Sequence, residues 1–535
     1  MKRTIILIAV LFIAVFVVAG LYFSRLEGSK MEAKDDLAAI PADATLLLSF
    51  RNDSSLYDLF QDYRGFEMVL GKAGYAELGT LKKIFRGRPE WIALLADQPI
   101  YMSFHPEPGE VAWLISVPLK EEIDPLQEAG TMDSLMTMVS LDASRGFYEL
   151  TVPGIDRPLF GSIEPNRISL SFSRDLLERA LDGTAPRLSA LFLEKFQENS
   201  DLNNSPVQLY INHEPLEFFI GAVARNQNAT TQLFSNLDGL TLMGINYKSD
   251  VLMFSGSSII SSTDSSYLSL LIEQEPVQHQ LKNWIPDNVA VVSSYGISDY
   301  GKFRSGLSDI FANRQETAPL TEQIRYIERN QDISIEDEYL PIWGSEFARL
   351  RLRSGEEIAV VAVRDSLEYS KVADKLSTLS TDSSYRRFDN SNLLYYALGD
   401  PMKEFKRPYF TYSRGYVVVA NSLHALDNYM DRIKRNELLV NDEDYQLYDR
   451  LQSASSNYSL FIHQENASRL ISRNLREPMR QNYNNTSNFA FQDFYAFTLQ
   501  LSGNGDRFSV NLYGKFLTES SFQDNKKATD SVKTR

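Results

Sequence analysis

The strongest constraint in this sequence is that much of it is written twice. Ile40-Pro41-Ala42-Asp43-Ala44 opens a strand, followed by a helical apolar stretch at Leu56-Tyr57-Asp58-Leu59-Phe60. Ile285-Pro286-Asp287-Asn288-Val289 opens the same arrangement, with a helix expected near Tyr300-Gly301-Lys302-Phe303. Arg157-Pro158-Leu159-Phe160 is echoed by Arg407-Pro408-Tyr409-Phe410, and Val207-Gln208-Leu209-Tyr210-Ile211 by Tyr458-Ser459-Leu460-Phe461-Ile462. Leu240-Thr241-Leu242 is echoed by Phe497-Thr498-Leu499. The echoes keep their order while the gap between mates grows, as a tandem duplication with loop insertions leaves them. A chain of 535 residues is too long for one ordinary core, so two repeat domains, 40–265 and 266–518, satisfy both the size and the echoes.

The amino terminus carries a second constraint. Ile5 to Phe23 is an unbroken apolar run without a charge, flanked by Lys2 and Arg3 before it and Arg25 after it. At about 1.5 Å per residue it spans roughly 28 Å, close to the hydrocarbon thickness of a bilayer. A cleaved signal peptide has a shorter apolar core of about 7–15 residues, and the run lacks a clean small-x-small end. The expectation is therefore a transmembrane anchor over 5–23, with 1–4 as a cytoplasmic stub and 24–39 as a linker. Lys2 and Arg3 favour the amino terminus inside, and a long domain after one early anchor is exported regardless of its charge. The body is then extracytoplasmic, periplasmic if the cell is Gram-negative. Ser520 to Arg535 lacks apolar periodicity, so 519–535 reads as a disordered tail.

Composition narrows the partners. Hydrophobic residues make up 43% of the chain and aromatics 12%, which belongs to a folded body. The net charge of −16 repels phosphate backbones and anionic headgroups, so nucleic acid is not an expected partner. There are no cysteines, which removes disulfides, thiolate metal sites and cysteine nucleophiles together.

Local patterns give the fold class. Leu46 to Phe50 reads as a buried strand, and Ile100 to Phe104 with Val111 to Val117 as a hairpin closed by Pro106-Glu107-Pro108-Gly109. The second half repeats this with Phe347 to Leu352 and Ile358 to Val363. Helices are expected over 367–379, 174–181 and 422–433, and a short one near 268–272. Each half ends on a meander, at 240–257 and at 497–513. Hairpins dominate over strand-helix-strand crossovers, so the class is α+β: two tandem, structurally similar domains with mainly antiparallel sheets and flanking helices, plus one N-terminal transmembrane helix.

Few residues in the sequence carry a pattern that points to chemistry. Of the five histidines, only His213 and His463 suggest a pair, each just past a repeated strand. They stand one position out of register between the halves, so capping of the following helix is the simpler role. The acidic runs Glu336-Asp337-Glu338 and Asp442-Glu443-Asp444 lack the alternating ligands and central glycine of a calcium loop. There is no phosphate loop, dinucleotide fingerprint or nucleophile elbow. Aromatic concentrations at Tyr395-Tyr396, Phe405 to Tyr412 and Phe489 to Phe497 suit strand cores better than a ligand groove. No catalytic, metal or cofactor-binding residue is therefore nominated, and no cofactor is expected.

The anchor, the Ile-Pro-x-Asp-x strand opening and its recurrence at Pro286 resemble an uncharacterised family of bacterial, Bacteroidota-like single-anchor envelope proteins with a duplicated extracytoplasmic domain. The resemblance implies no catalytic residues. The expected function is a membrane-anchored envelope binding or scaffold protein with an envelope protein partner, working at the cleft between its halves. The alternatives are an envelope hydrolase acting on glycan or peptidoglycan through dispersed carboxylates, or a lipid-handling protein.

Overall fold

The computed structural model describes residues 37–51, 93–124, 137–194, 205–225, 233–260, 266–380, 385–485 and 490–517, with short interruptions, and a few positions between 72 and 80. The expected anchor, the linker as far as Asp36, the helical stretch at Leu56 and the carboxyl-terminal tail lie outside the described residues, while Leu37 and Ala39 at the linker's end are buried with the first half. Among the described residues no helix is long and apolar enough to cross a membrane.

The protein is α+β, built on one large antiparallel sheet that has 20 strands among the described residues. In the first half the strands are β1 (Leu46–Arg51), β2 (Pro99–Glu107), β3 (Glu110–Pro118), β4 (Thr137–Asp142), β5 (Phe147–Thr151), β6 (Leu159–Glu164), β7 (Arg167–Ser171), β8 (Val207–Asn212), β9 (Gly239–Lys248) and β10 (Val251–Ile260). In the second half they are β11 (Val289–Gly296), β12 (Trp343–Leu352), β13 (Glu357–Val363), β14 (Ser377–Leu379), β15 (Arg386–Phe388), β16 (Tyr409–Ser413), β17 (Tyr416–Ala420), β18 (Tyr458–His463), β19 (Phe494–Gly503) and β20 (Phe508–Phe516).

The pairing order β4-β5-β6-β7-β3-β2-β1-β8-β9-β10 recurs as β14-β15-β16-β17-β13-β12-β11-β18-β19-β20. The two runs join edge to edge, β10 against β20, with Ser255 opposite Asn511 near the middle of that ladder. Each run thereby covers the open edge of the other, which removes an unpaired row of backbone groups.

The rungs correct two echoes by one residue. Leu242 lies opposite Tyr210 as Thr498 lies opposite Phe461, so Leu242 matches Thr498. Phe160 lies opposite Ser171 as Tyr409 lies opposite Ala420, so Phe160 matches Tyr409. A sequence echo aligns similar letters, whereas the ladder aligns side chains that share a face.

Helices cover both faces: α1 (Arg174–Leu181), α2 (Leu216–Val223), α3 (Tyr300–Asn313), α4 (Thr317–Gln331), α5 (Ser366–Leu376), α6 (Leu423–Lys434), α7 (Glu443–Asp449) and α8 (Gln464–Asn474). The α3 helix starts where Asp299 Oδ1 accepts the Lys302 N–H at 3.0 Å, and it buries Phe303, Leu307, Ile310 and Phe311. Its spacing places those four on one stripe, each worth about 1.5–3 kcal/mol when fully buried. The helix expected over 367–379 ends at Leu376. Ser377 turns extended, its hydroxyl returns to the Ala373 carbonyl at 2.5 Å, and Thr378 and Leu379 pair with Arg387 and Arg386. The short helix expected near 268–272 is a 3-10 turn over Tyr267–Leu271.

One core packs α3, α4 and α5 on the sheet and reaches across the junction to Met243, Ile245 and Phe254. A second, on the opposite face, joins Leu350, Leu352, Val418 and Ala420 to Leu426 and Tyr429 of α6. The first half has smaller clusters around Leu150, Tyr101 and Leu176.

Candidate functional site

The halves meet through continuous structure where the sequence suggested an open cleft. Besides the β10–β20 ladder, the chain leaving α2 bridges the chain leaving α8, Ala224 against Leu475. The Arg225 N–H donates to Asn474 O at 2.7 Å and the Arg476 N–H to Val223 O at 2.8 Å. The Arg476 side chain adds Nε to Ala224 O at 3.1 Å. A cavity of about 540 Å³ opens beside this bridge, between α2 and the tip of the β2–β3 hairpin. Asp43, Glu107, Pro108, Phe218, Ala222 and Arg476 are on its wall.

Behind Asp43 stands a buried polar chain. Residues alternate faces along a strand, so Ser103 and His105 of β2 share one. His105 Nδ1 is 2.8 Å from Asp43 Oδ1, and His105 Nε2 is 2.8 Å from Ser103 Oγ. Ser103 and His105 are both 0% exposed. Arg179 of α1 reaches Asp43 Oδ2 at 3.3 Å and Glu107 Oε1 at 3.5 Å. Burial pushes the Asp43 carboxyl upward, but the hydrogen bond and charge of His105 and the charge of Arg179 hold it below the usual range. The sequence signal for this chain was Ser103-x-His105, straddling the end of the strand expected over Ile100 to Phe104.

The loop bearing Asp43 and its counterpart in the second half are each clamped through their carbonyls. Asn212 Nδ2 donates to Ala44 O at 3.3 Å, and in the second half Asn466 Nδ2 donates to Asp287 O at 2.9 Å and Val289 O at 2.8 Å. The same carbonyl clamp is thus made from the end of β8 in one half and from α8 in the other.

The structure does not make His213 and His463 equivalent. The rung of His463, opposite Ala496, matches that of Asn212, opposite Leu240. His463 caps α8 by accepting the Asn466 N–H. His213 instead sits 2.8 Å from Thr241 Oγ1, which donates to Ser258 Oγ at 2.7 Å. Burial pushes His213 down to about 4 and His463 below its ordinary value.

The acidic runs have structural partners. Asp442 caps α7, Glu338 pairs with Lys375 at 2.7 Å, and Glu336 accepts the Tyr396 hydroxyl at 2.7 Å. Among the described residues no group of three His, Asp or Glu is placed to hold a metal ion.

The α2 helix is where the site departs most from the rest of the molecule. Its sequence, LEFFIGAV, is almost wholly apolar, yet none of its residues is buried, and Phe218 is 76% exposed. The α8 helix, which bridges to it, reads QENASRLISRN. Counted back from Ala224 and Leu475, the position of Phe218 falls on Arg469, also exposed. The sequence contained this signal, an apolar stretch matched by a polar one, but only the structure shows that the apolar one is half-buried with Phe218 left exposed.

No family model matches the chain, and no curated protein matches it. Among solved structures it is similar to one titled "Structure of crystal form III of TP0453", at 12% identity and a TM-score of 0.22, over 46% of this chain and 90% of that one.

Proposed function

We propose that this protein is a membrane-anchored envelope binding protein with two tandem domains, 40–265 and 266–518, and that the first domain does the binding through α2. The observation that carries it is Phe218, an apolar side chain 76% exposed beside a cavity of about 540 Å³, at the place where the matching helix has Arg469. Contiguous exposed apolar surface rimmed by polar groups marks interaction sites, and Phe218 is continuous with the half-buried apolar residues of α2. The repeated ladder supports the tandem organisation. The occupant is an apolar segment of another envelope protein, neutral or basic overall, because a chain of net charge −16 repels acidic partners. Catalysis is the weaker reading, since Ser103 and His105 are shut away from any substrate.

The test is photo-crosslinking in the membrane-bound full chain from position 218 and, separately, from 469. One protein is expected to be captured from 218 and not from 469, and to stop co-purifying after Phe218→Asp but not after Arg469→Asp. Equal capture at both positions, or capture of lipid alone from 218, overturns the docking role of α2.

A further inference from the structure

We propose that the second half carries a saccharide-binding site, independent of α2, in the cavity between α5 and β16. That cavity holds about 420 Å³ and is lined by Tyr369, Ser370, Asp374, Arg386, Phe410 and Tyr412, among others. The volume falls within the range of small-ligand sites. Its floor is aromatic. Tyr412 packs one face against Tyr369, with centroids 5.1 Å apart and 27° between the rings, and is still 38% exposed. Among the described residues the buried Tyr369 hydroxyl in the wall has no hydrogen-bond partner.

The polar side of the cavity is equally specific. Arg386 Nη1 lies 3.0 Å from Asp374 Oδ1, and the Asp374 side chain is 67% exposed. The same guanidinium is fixed by Nε to Ser377 Oγ at 2.8 Å and by Nη2 to the carbonyls of Ser377 and Ala373 at 3.3 and 3.4 Å. The carboxylate therefore keeps acceptor sites open at the rim, held in place by an arginine that cannot swing away.

This combination selects a ligand class. A pyranose ring has a flat C–H face that packs on an aromatic ring and a rim of hydroxyls that donate to a carboxylate. An anionic ligand gains little from Arg386, whose charge Asp374 already balances. An acyl chain would strip water from the acceptor sites that Asp374 keeps open beside its pair with Arg386. The first half lacks the platform: the rungs that hold Phe410 and Tyr412, opposite Val419 and Val417, hold Gly161 and Ile163, opposite Leu170 and Ile168.

The experiment is calorimetric titration of the full chain in detergent micelles with tetrasaccharides of glucose, mannose, galactose and N-acetylglucosamine. At least one is expected to bind in the micromolar to millimolar range. Tyr412→Ala should weaken it about tenfold, the worth of one aromatic packing contact. Tyr412→Trp should retain binding, Asp374→Asn should weaken it, and Phe218→Asp should leave it unchanged. Absence of binding by every member of the panel overturns the proposal. So does a Tyr412→Ala protein that melts and binds like the parent.

Discussion

The two halves of the sheet share a ladder and differ in what they place on it. Rung for rung, Met102 in the first half corresponds to Arg349 in the second, since Leu48 faces one and Ser293 the other. Ser103 corresponds to Leu350 in the same way, facing Leu47 and Val292. The first half therefore buries a serine and a histidine where the second has leucines, and the second buries an arginine where the first has methionine. Backbone hydrogen bonding fixes strand order without fixing chemistry, provided each buried polar group finds a partner. Each half has placed its polar cluster on different rungs, so neither half's site can be inferred from the other by symmetry.

The largest expected effect tests whether that exchange is reversible. Arg349 is 7% exposed, pairs with Glu357 and Glu404, and donates to Pro401 O at 3.3 Å. Arg349→Met would copy the first half's residue and leave Glu357 only its pair with Arg351, whose Nε is 2.7 Å from Glu357 Oε1. The expected loss, from the charge-assisted hydrogen bonds of a buried arginine, is about 3–5 kcal/mol. Met102→Leu, on the matching rung, is expected to cost under about 1.5 kcal/mol. Urea unfolding of both variants decides it, and equal losses would mean that the ion pairs are not what distinguishes the second half.

Acid should separate the halves next. His213 has its folded pKa pushed down to about 4 by burial, against about 6.5 in the unfolded chain. The unfolded state then takes the proton first. The stability due to neutral His213 is complete above pH 6.5 and is lost as pH falls toward 4, roughly 3 kcal/mol in all. His463 is depressed in the same sense by burial, but Glu465 and Asp442 work against the shift, so its share is smaller. Melting curves from pH 7 to pH 4 should show a flatter acid limb for His213→Gln than for His463→Gln. The reverse order would show that the acid sensitivity lies in the second half.

Much of the ladder was legible because strand and hairpin signals are local. The paired strands at Ile100 and Val111, and the meanders closing each half, follow from alternation and turn residues within short windows. The union of the halves through β10 and β20 was not legible, because two edge strands distant in sequence carry no mark of which edge they will meet. The site was harder still. Asp43 and His105 are brought together across a strand pair, and nothing local to either announces the other. The aromatic run from Phe405 to Tyr412 shows the same limit: Phe405 and Phe410 are core, as strand propensity suggests, while Tyr412 in the same run is open to solvent. Propensity speaks for a segment, and exposure is decided residue by residue by what packs on it.

The smallest expected effect bears on whether the buried chain in the first half is structural. Asp43, His105 and Ser103 have the hydrogen-bond order of a hydrolytic triad, at 2.8 Å for each contact. A nucleophile must also meet its substrate, and Ser103 is 0% exposed between Leu47 and Leu114 on its neighbouring strands. The parent protein should therefore not label at Ser103 with a fluorophosphonate probe. Ser103→Ala should cost about 1–3 kcal/mol, because it takes the partner from the buried His105 Nε2. Labelling that disappears in the Ser103→Ala protein would reverse the assignment. The rungs on which the halves differ would then mark a catalytic half and a packing half, and α2 would become the wall of a substrate channel.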